Sequence, residues 1–477
     1  MNTGTGSRPQ AALCALVILG LSASLAVIAA PPPRDGEMPF RPGQVAVPCL
    51  TPMVQSLQLA EANGGQAAGS ALGALRPDLP SDPDRYLDLG SGVRALLPPS
   101  VAAPGRLRKD LQRLSAALAE TKTLLLDGYG LPAPGRLTVV LSRLETGAAG
   151  FLVPGTDRGE RIMILNYPTR GERLVRAAVH QYAHATAVAG SSPVPAAWAE
   201  GFATWAGIRR TGFPSAVVRA ILEHRKDHLQ EGLDTLNLEL SAGNALWFLY
   251  LDEAFGAEAV RLTLEELRQN PAGEALEQGV RRAAGYSLRQ AFREFHIWSV
   301  LTGDRSNGRH LPFGHVLSDP RFASRAESYP ALSVHADAAV ASMGASQVLL
   351  SGDKAGTGGL VLRFEGELGT PWEADLLLVR NDGSMHLVPV RLGADGRGRE
   401  TLPLAGMKEA MLLIRNLDSQ HSGSQRYTWS AHREAAYPFE LHGLEAQPAG
   451  RPDSGILIAW ETGSEQDLVG FNILRVP

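Results

Sequence analysis

Between Arg106 and Leu126 the residues Leu107, Leu111, Leu114, Leu118 and Leu125 recur every three to four positions, or a multiple of that step. Apolar residues at that period share one side of a 3.6-residue helix, and Gly128 and Gly130 mark its end. An amphipathic helix is expected there. Strands are expected over 137–141 and 161–166, with the Gly-rich stretch 147–159 as the loop of a hairpin that places both in one sheet. Helical periodicity then dominates from about 172 to 301, including an apolar block at 246–255 closed by Gly256 and another at 288–298. Past residue 330 the texture becomes short alternating segments, 360–365, 373–380, 386–391 and 410–416, separated by Gly, Asn and Asp. That spacing predicts a β-sandwich. Three more strands are expected at 439–446, 456–462 and 470–476.

The start of the chain has a different character. Residues 1–10 are polar with Arg8, residues 11–30 are unbroken apolar and small side chains, and Pro31, Pro32 and Pro33 follow. This is the layout of a secretory signal, with Ile28 and Ala30 at positions that permit cleavage, so a secreted or cell-envelope location is expected. The alternative is an uncleaved anchor, because about 20 apolar residues can span a bilayer. No later stretch approaches that length without a charge, so no membrane span is expected once the signal is removed. From 31 to 84 the chain is rich in Pro, Gly and Ala without periodicity, which reads as a low-complexity linker or propeptide-like segment.

Composition narrows the chemistry. The 477 residues are 44% hydrophobic and 20% charged, enough for packed cores and several domains. With 45 basic against 49 acidic residues there is no basic field for a phosphate backbone, and no nucleic-acid partner is expected. Cys14 lies in the leader and Cys49 just after it, so one cysteine is expected in the mature chain. On that count neither an internal disulfide nor a cysteine-ligated zinc is expected, and any metal would rest on His, Asp or Glu.

The chemically informative stretch runs Val179-His180-Gln181-Tyr182-Ala183-His184, then Pro195-Ala196-Ala197-Trp198-Ala199-Glu200-Gly201-Phe202-Ala203. Residues four apart on a helix lie nearly above one another, so His180 and His184 can aim both imidazoles at one metal. Two surface histidines would show the same spacing. Glu200, on a second helix after a turn marked by Gly190, Pro193 and Pro195, would complete a His, His, Glu set with an open fourth position.

A helix bearing His-x-x-x-His, preceded by paired strands and followed by Pro-x-x-Trp-x-Glu-Gly-x-Ala and a helical subdomain, resembles the gluzincin type of zinc metallopeptidase of the peptidase MA-like superfamily. The resemblance covers about residues 100–305 and concentrates in 179–206. It implies Zn2+ held by His180, His184 and Glu200. The implied fold is multidomain: an α+β metallopeptidase-like domain over 85–310, with a small β-sheet and a mostly helical subdomain, then a β-sandwich module over 330–435. The segment 436–477 is similar to the opening of a fibronectin type III-like domain, with Trp460 as its core tryptophan. About 40 residues remain where such a sandwich needs about 100, so an incomplete module is expected.

The departures matter as much as the match. In active members of the resembled family the residue after the first histidine is glutamate, the general base that takes a proton from the metal-bound water. Gln181 stands there, and its amide has no lone pair that titrates near neutrality. Metal binding would survive and ordinary peptide hydrolysis would not. Family members also often carry a tyrosine before the glycine at Ala242-Gly243. Tyr182 and Tyr250 are expected to be packing residues rather than replacements for it. Glu172 and Glu160 are carboxylates that could substitute as base, and both are expected to be solvated surface charges.

Three functions are compatible with these residues. The first is a zinc-binding, catalytically impaired metallopeptidase-like protein that takes a peptide or protein ligand in its cleft. The second is an active metallopeptidase with a substitute base. The third is a metal-free extracellular adhesive or structural protein. Oligomeric state is not legible.

Overall fold

A computed structural model describes residues 86–465 with short gaps, together with Cys49, Thr51, Val54, Gln55, Gln58 and Leu75. The expected signal over 1–30, most of the expected linker over 31–84 and the expected strand at 470–476 lie outside the described residues. The chain divides into two compact units, Met1–His228 with Leu233–Pro320, and Leu229–Gly232 with Arg321–Pro477. No helix among the described residues is long and apolar enough to cross a membrane.

The first unit is built on a five-stranded sheet, ordered β1-β2-β3-β5-β4, of β1 (Tyr86–Gly90), β2 (Val93–Leu96), β3 (Arg136–Ser142), β4 (Gly150–Pro154) and β5 (Glu160–Asn166). β2, β3 and β5 run parallel, and β4 lies antiparallel to β5 at the edge. The expected hairpin of β3 with β5 is therefore corrected. The two share a sheet but run parallel, and the supposed loop contains β4. Flanking glycines hide that strand in the sequence, although Phe151, Leu152 and Val153 are all buried. β3 and β5 are apolar at successive positions because they are central strands covered on both faces.

Helices follow: α1 (Pro104–Lys122), α2 (Gly171–Ala187), α3 (Ala196–Thr211), α4 (Ala216–Asp227), α5 (Leu238–Ser241), α6 (Ala245–Phe255), α7 (Ala257–Leu267), α8 (Ala272–Ala284) and α9 (Leu288–Val300). α1 precedes β3 in the chain. It buries Leu111, Leu114 and Leu118, and its last turn widens into a π-helix over Thr123–Gly128. Ala117 of α1 packs on Val175 and Val179 of α2. α6 is buried continuously from Ala245 to Asp252, the mark of a helix apolar all round at the centre of a bundle. Tyr182 and Tyr250 are buried as expected, and Tyr250 lies among Trp247, Phe255, Phe295 and Trp298.

The second unit contains two five-stranded sheets. One is ordered β12-β11-β14-β9-β6, from β6 (Ser324–Ala326), β9 (Gly344–Ser351), β11 (Trp372–Arg380), β12 (Met385–Val390) and β14 (Met407–Asn416). The other is ordered β13-β10-β15-β7, from β7 (Ala331–Leu332), β10 (Gly359–Gly366), β13 (Arg397–Pro403) and β15 (Ser424–Glu434), with β8 (Ala339–Ala341) also on β15. Leu350, Leu376, Leu412 and Ile414 of the first meet Leu360, Leu362 and Trp429 of the second in one core. Arg415, next to Ile414 and therefore on the opposite face of β14, is buried and paired with Asp375 and Glu373. β16 (Phe439–Pro448) and β17 (Ile456–Glu465) form a two-stranded sheet, and Trp460 on β17 is half-buried rather than fully enclosed.

Candidate metal centre

α2 and α3 bring the sequence-derived residues together. His180 and His184, one turn apart, present the same ring nitrogen to a common point, with Nε2 to Nε2 at 3.1 Å. From α3, Glu200 Oε1 lies 3.1 Å from His180 Nε2 and Oε2 lies 2.9 Å from His184 Nε2. His184 and Glu200 are buried, while the His180 side chain keeps 16% exposure.

α3 approaches this closely because of Gly201. A Cβ built there would lie 2.7 Å from Asn244 Cβ and 2.9 Å from the Asn244 carbonyl carbon. The glycine after Glu200 thus lets α3 rest against the backbone that enters α6. On the same helix Trp198, Phe202 and Trp205 pack on Phe248 of α6, fixing its rotation. Trp198 Nε1 also donates to Asp234 at 3.3 Å.

A fourth donor joins them from far upstream. Cys49 Sγ lies 3.5 Å from His184 Nε2, and its residue is buried. Cys49, His180, His184 and Glu200 each offer one ligand atom, all within 4.8 Å of one another, so the group could hold a metal ion. This corrects the expectation that cysteine plays no part in metal ligation. That elimination required several cysteines, whereas one thiolate can join imidazoles and a carboxylate in a mixed set.

The donor chemistry fits a cation such as Zn2+. Ligand atoms about 2.0 to 2.3 Å from one ion lie roughly 3.3 to 3.8 Å apart; here neighbouring pairs lie 2.9 to 3.5 Å apart and the whole set within 4.8 Å. A hydrolytic relay fits less well. In a nucleophile–imidazole–carboxylate chain the two partners engage opposite ring nitrogens, yet Cys49 and Glu200 both face Nε2 of His184. His184 Nδ1 is buried with no hydrogen-bond partner among the described residues.

The electrostatics match that donor set. Burial favours neutral imidazoles, but Glu200 and Cys49 outweigh it at His180 and push its pKa up to about 10. Burial likewise opposes the upward shift of His184, which its Cys49 and Glu200 partners impose. Burial would raise Glu200, yet the two histidines hold its carboxyl well below the usual carboxylate range. At Cys49, burial and Glu200 act upward, and His184 and His180 bring the thiol down to about 7. A carboxylate held in its charged form and a thiol lowered toward neutrality face two basic rings, a cluster whose charges a bound cation would reorganise.

Gln181 is buried beside the cluster and fully engaged. Its Nε2 donates to Cys49 Sγ at 3.1 Å, and its Oε1 accepts from Thr51 Oγ1 at 2.7 Å. Thr51 Oγ1 in turn accepts from Leu152 N at 3.1 Å, and Thr51 N donates to Cys49 Sγ at 3.3 Å. The sequence reading missed Cys49 and Thr51. The available signal was Cys49 itself, the sole cysteine outside the apolar run over 11–30.

The two candidate substitute bases stand differently. Glu160 is buried rather than solvated, which corrects the expectation, and it is held by Arg94 at 3.0 Å and by the Thr138 hydroxyl at 3.0 Å. Glu172 is exposed in the first turn of α2. Ala242 is buried in a short 3-10 turn and carries no hydroxyl. Compared with known proteins, the chain matches no family model and no curated sequence.

Proposed function

We propose that this is an extracytoplasmic zinc-binding protein with a metallopeptidase-like first unit that does not carry out ordinary peptide hydrolysis. The convergence of His180 Nε2, His184 Nε2 and the Glu200 carboxylate from two helices supports the metal, and this observation carries the proposal. Gln181 supports the loss of hydrolysis. Its amide cannot take up a proton near neutrality, and both its polar ends are already committed to Thr51 and Cys49. Zinc bound here would supply Lewis acidity and charge neutralisation. His180, His184 and Glu200 would hold the ion, and Gln181 would supply no general base. General acid–base assistance is worth about 10² to 10⁴ in rate, so its loss leaves at most residual turnover. The apolar leader and the proline run after it support export.

The test pairs metal content with proteolysis. Elemental analysis of the purified chain is expected to give stoichiometric zinc, lost in His184→Ala. Wild type is expected to leave casein and a peptide library uncut. Zinc-free wild type would remove the metal reading. Chelator-sensitive cleavage by wild type would replace this reading with that of an active peptidase.

A further inference from the structure

We infer that Cys49 is the fourth ligand of this metal and that Cys49 and Thr51 together act as a built-in strap. It closes the coordination position a hydrolase leaves open and covers the edge of the sheet beside it. The inference rests on the metal-binding reading above and deepens it.

Three observations converge on it. Cys49 Sγ lies within reach of the ligand nitrogens and belongs to the same four-donor group. The strap is also tied to the sheet edge: Cys49 forms a parallel bridge with Gly150, and Thr51 Oγ1 accepts from Leu152 N. β4 is the edge strand of its sheet, so these bonds lie on the side where an extended chain could otherwise add. Finally, Gln181 holds the strap from the helix side, with one amide end on the sulfur and the other on Thr51. A glutamate at 181 would direct a carboxylate oxygen at the thiolate instead of an N–H. The glutamine that removes the general base therefore suits a sulfur ligand, and Gln181 is a positioning residue for Cys49. Four protein donors with no open position are the arrangement of structural zinc sites, whereas catalytic sites keep one position for water.

Cobalt(II) replacement in the full chain tests this directly. Wild type is expected to take up one Co2+ per chain and to show a thiolate-to-cobalt charge-transfer band in the near ultraviolet. Cys49→Ser is expected to keep His-ligated cobalt while losing that band. Gln181→Leu removes the N–H donated to sulfur, and its band is expected at lower energy with cobalt still bound. In parallel, alkylation followed by peptide mass mapping, which separates Cys49 from Cys14, is expected to find Cys49 protected in zinc-loaded wild type and reactive after chelation. Cobalt bound by wild type without a charge-transfer band, together with Cys49 reactive in the zinc form, would overturn the strap and leave the metal site standing. No metal uptake by wild type would overturn both. A Cys49→Ser chain that fails to fold leaves the wild-type band and the alkylation pattern to decide.

Discussion

Thr51 is the residue on which the strap most visibly turns. Its hydroxyl donates to Gln181 Oε1 and accepts from Leu152 N, joining helix, strand and strap through one oxygen. Thr51→Val keeps the shape and strands two buried polar groups, each costing about 1 to 3 kcal/mol when left unsatisfied. The variant is expected to melt at a lower temperature, and Cys49 is expected to be alkylated faster in its zinc form. Unchanged melting and labelling would show that Thr51 is a bystander. His180, His184 and Glu200 were legible in the chain because a helical repeat fixes which side chains share a face, and a short turn brings the next helix back. Cys49 was not legible. It reaches His184 across 135 positions, and no local period encodes a contact made by folding a distant segment over an edge.

Among the elements that carry the candidate ligands, α3 is closely constrained. Glu200 can face the histidines only while the helix lies against the turn at Asn244, and Gly201 is the position of closest approach. Gly201→Ala would force a methyl group to within 2.7 Å of Asn244 Cβ, so the helix must shift outward. Overpacking of this kind costs about 1 to 3 kcal/mol. The expected result is a lower melting temperature and weaker zinc affinity in a competition titration with a chromophoric chelator. Retained affinity would show that α3 does not fix Glu200. The same scale explains which elements the sequence revealed. Long apolar periods such as that of α1 were readable. β4 was obscured because its apolar residues are few and sit between glycines, and its assignment depends on pairing with β5.

For the whole molecule, all four donors belong to the first of two units. Binding to the folded state alone stabilises it by about 2.7 kcal/mol when free ligand is 100 times its dissociation constant. Chelation is therefore expected to speed hydrogen exchange in peptides from α2 and α3 while leaving β9, β11 and β14 unchanged. Equal acceleration in both units would contradict a site confined to the first. A change of texture between about residues 301 and 330 could be read from the sequence, and the units divide near Arg321. The relation of β3 to β5 could not, since parallel and antiparallel neighbours show the same run of apolar residues.

The separation of Cys49 from His184 has one more consequence. A covalent cross-link between positions that far apart would restrict the unfolded chain strongly, on the order of 4.7 kcal/mol for a loop of about 100 residues in the chain-entropy model. A metal shared by Cys49 and His184 ties a loop of 135 positions in the same topological sense. With only one other cysteine in the sequence, located in the apolar run over 11–30, a bound ion would give the folded unit a staple that needs no second sulfur.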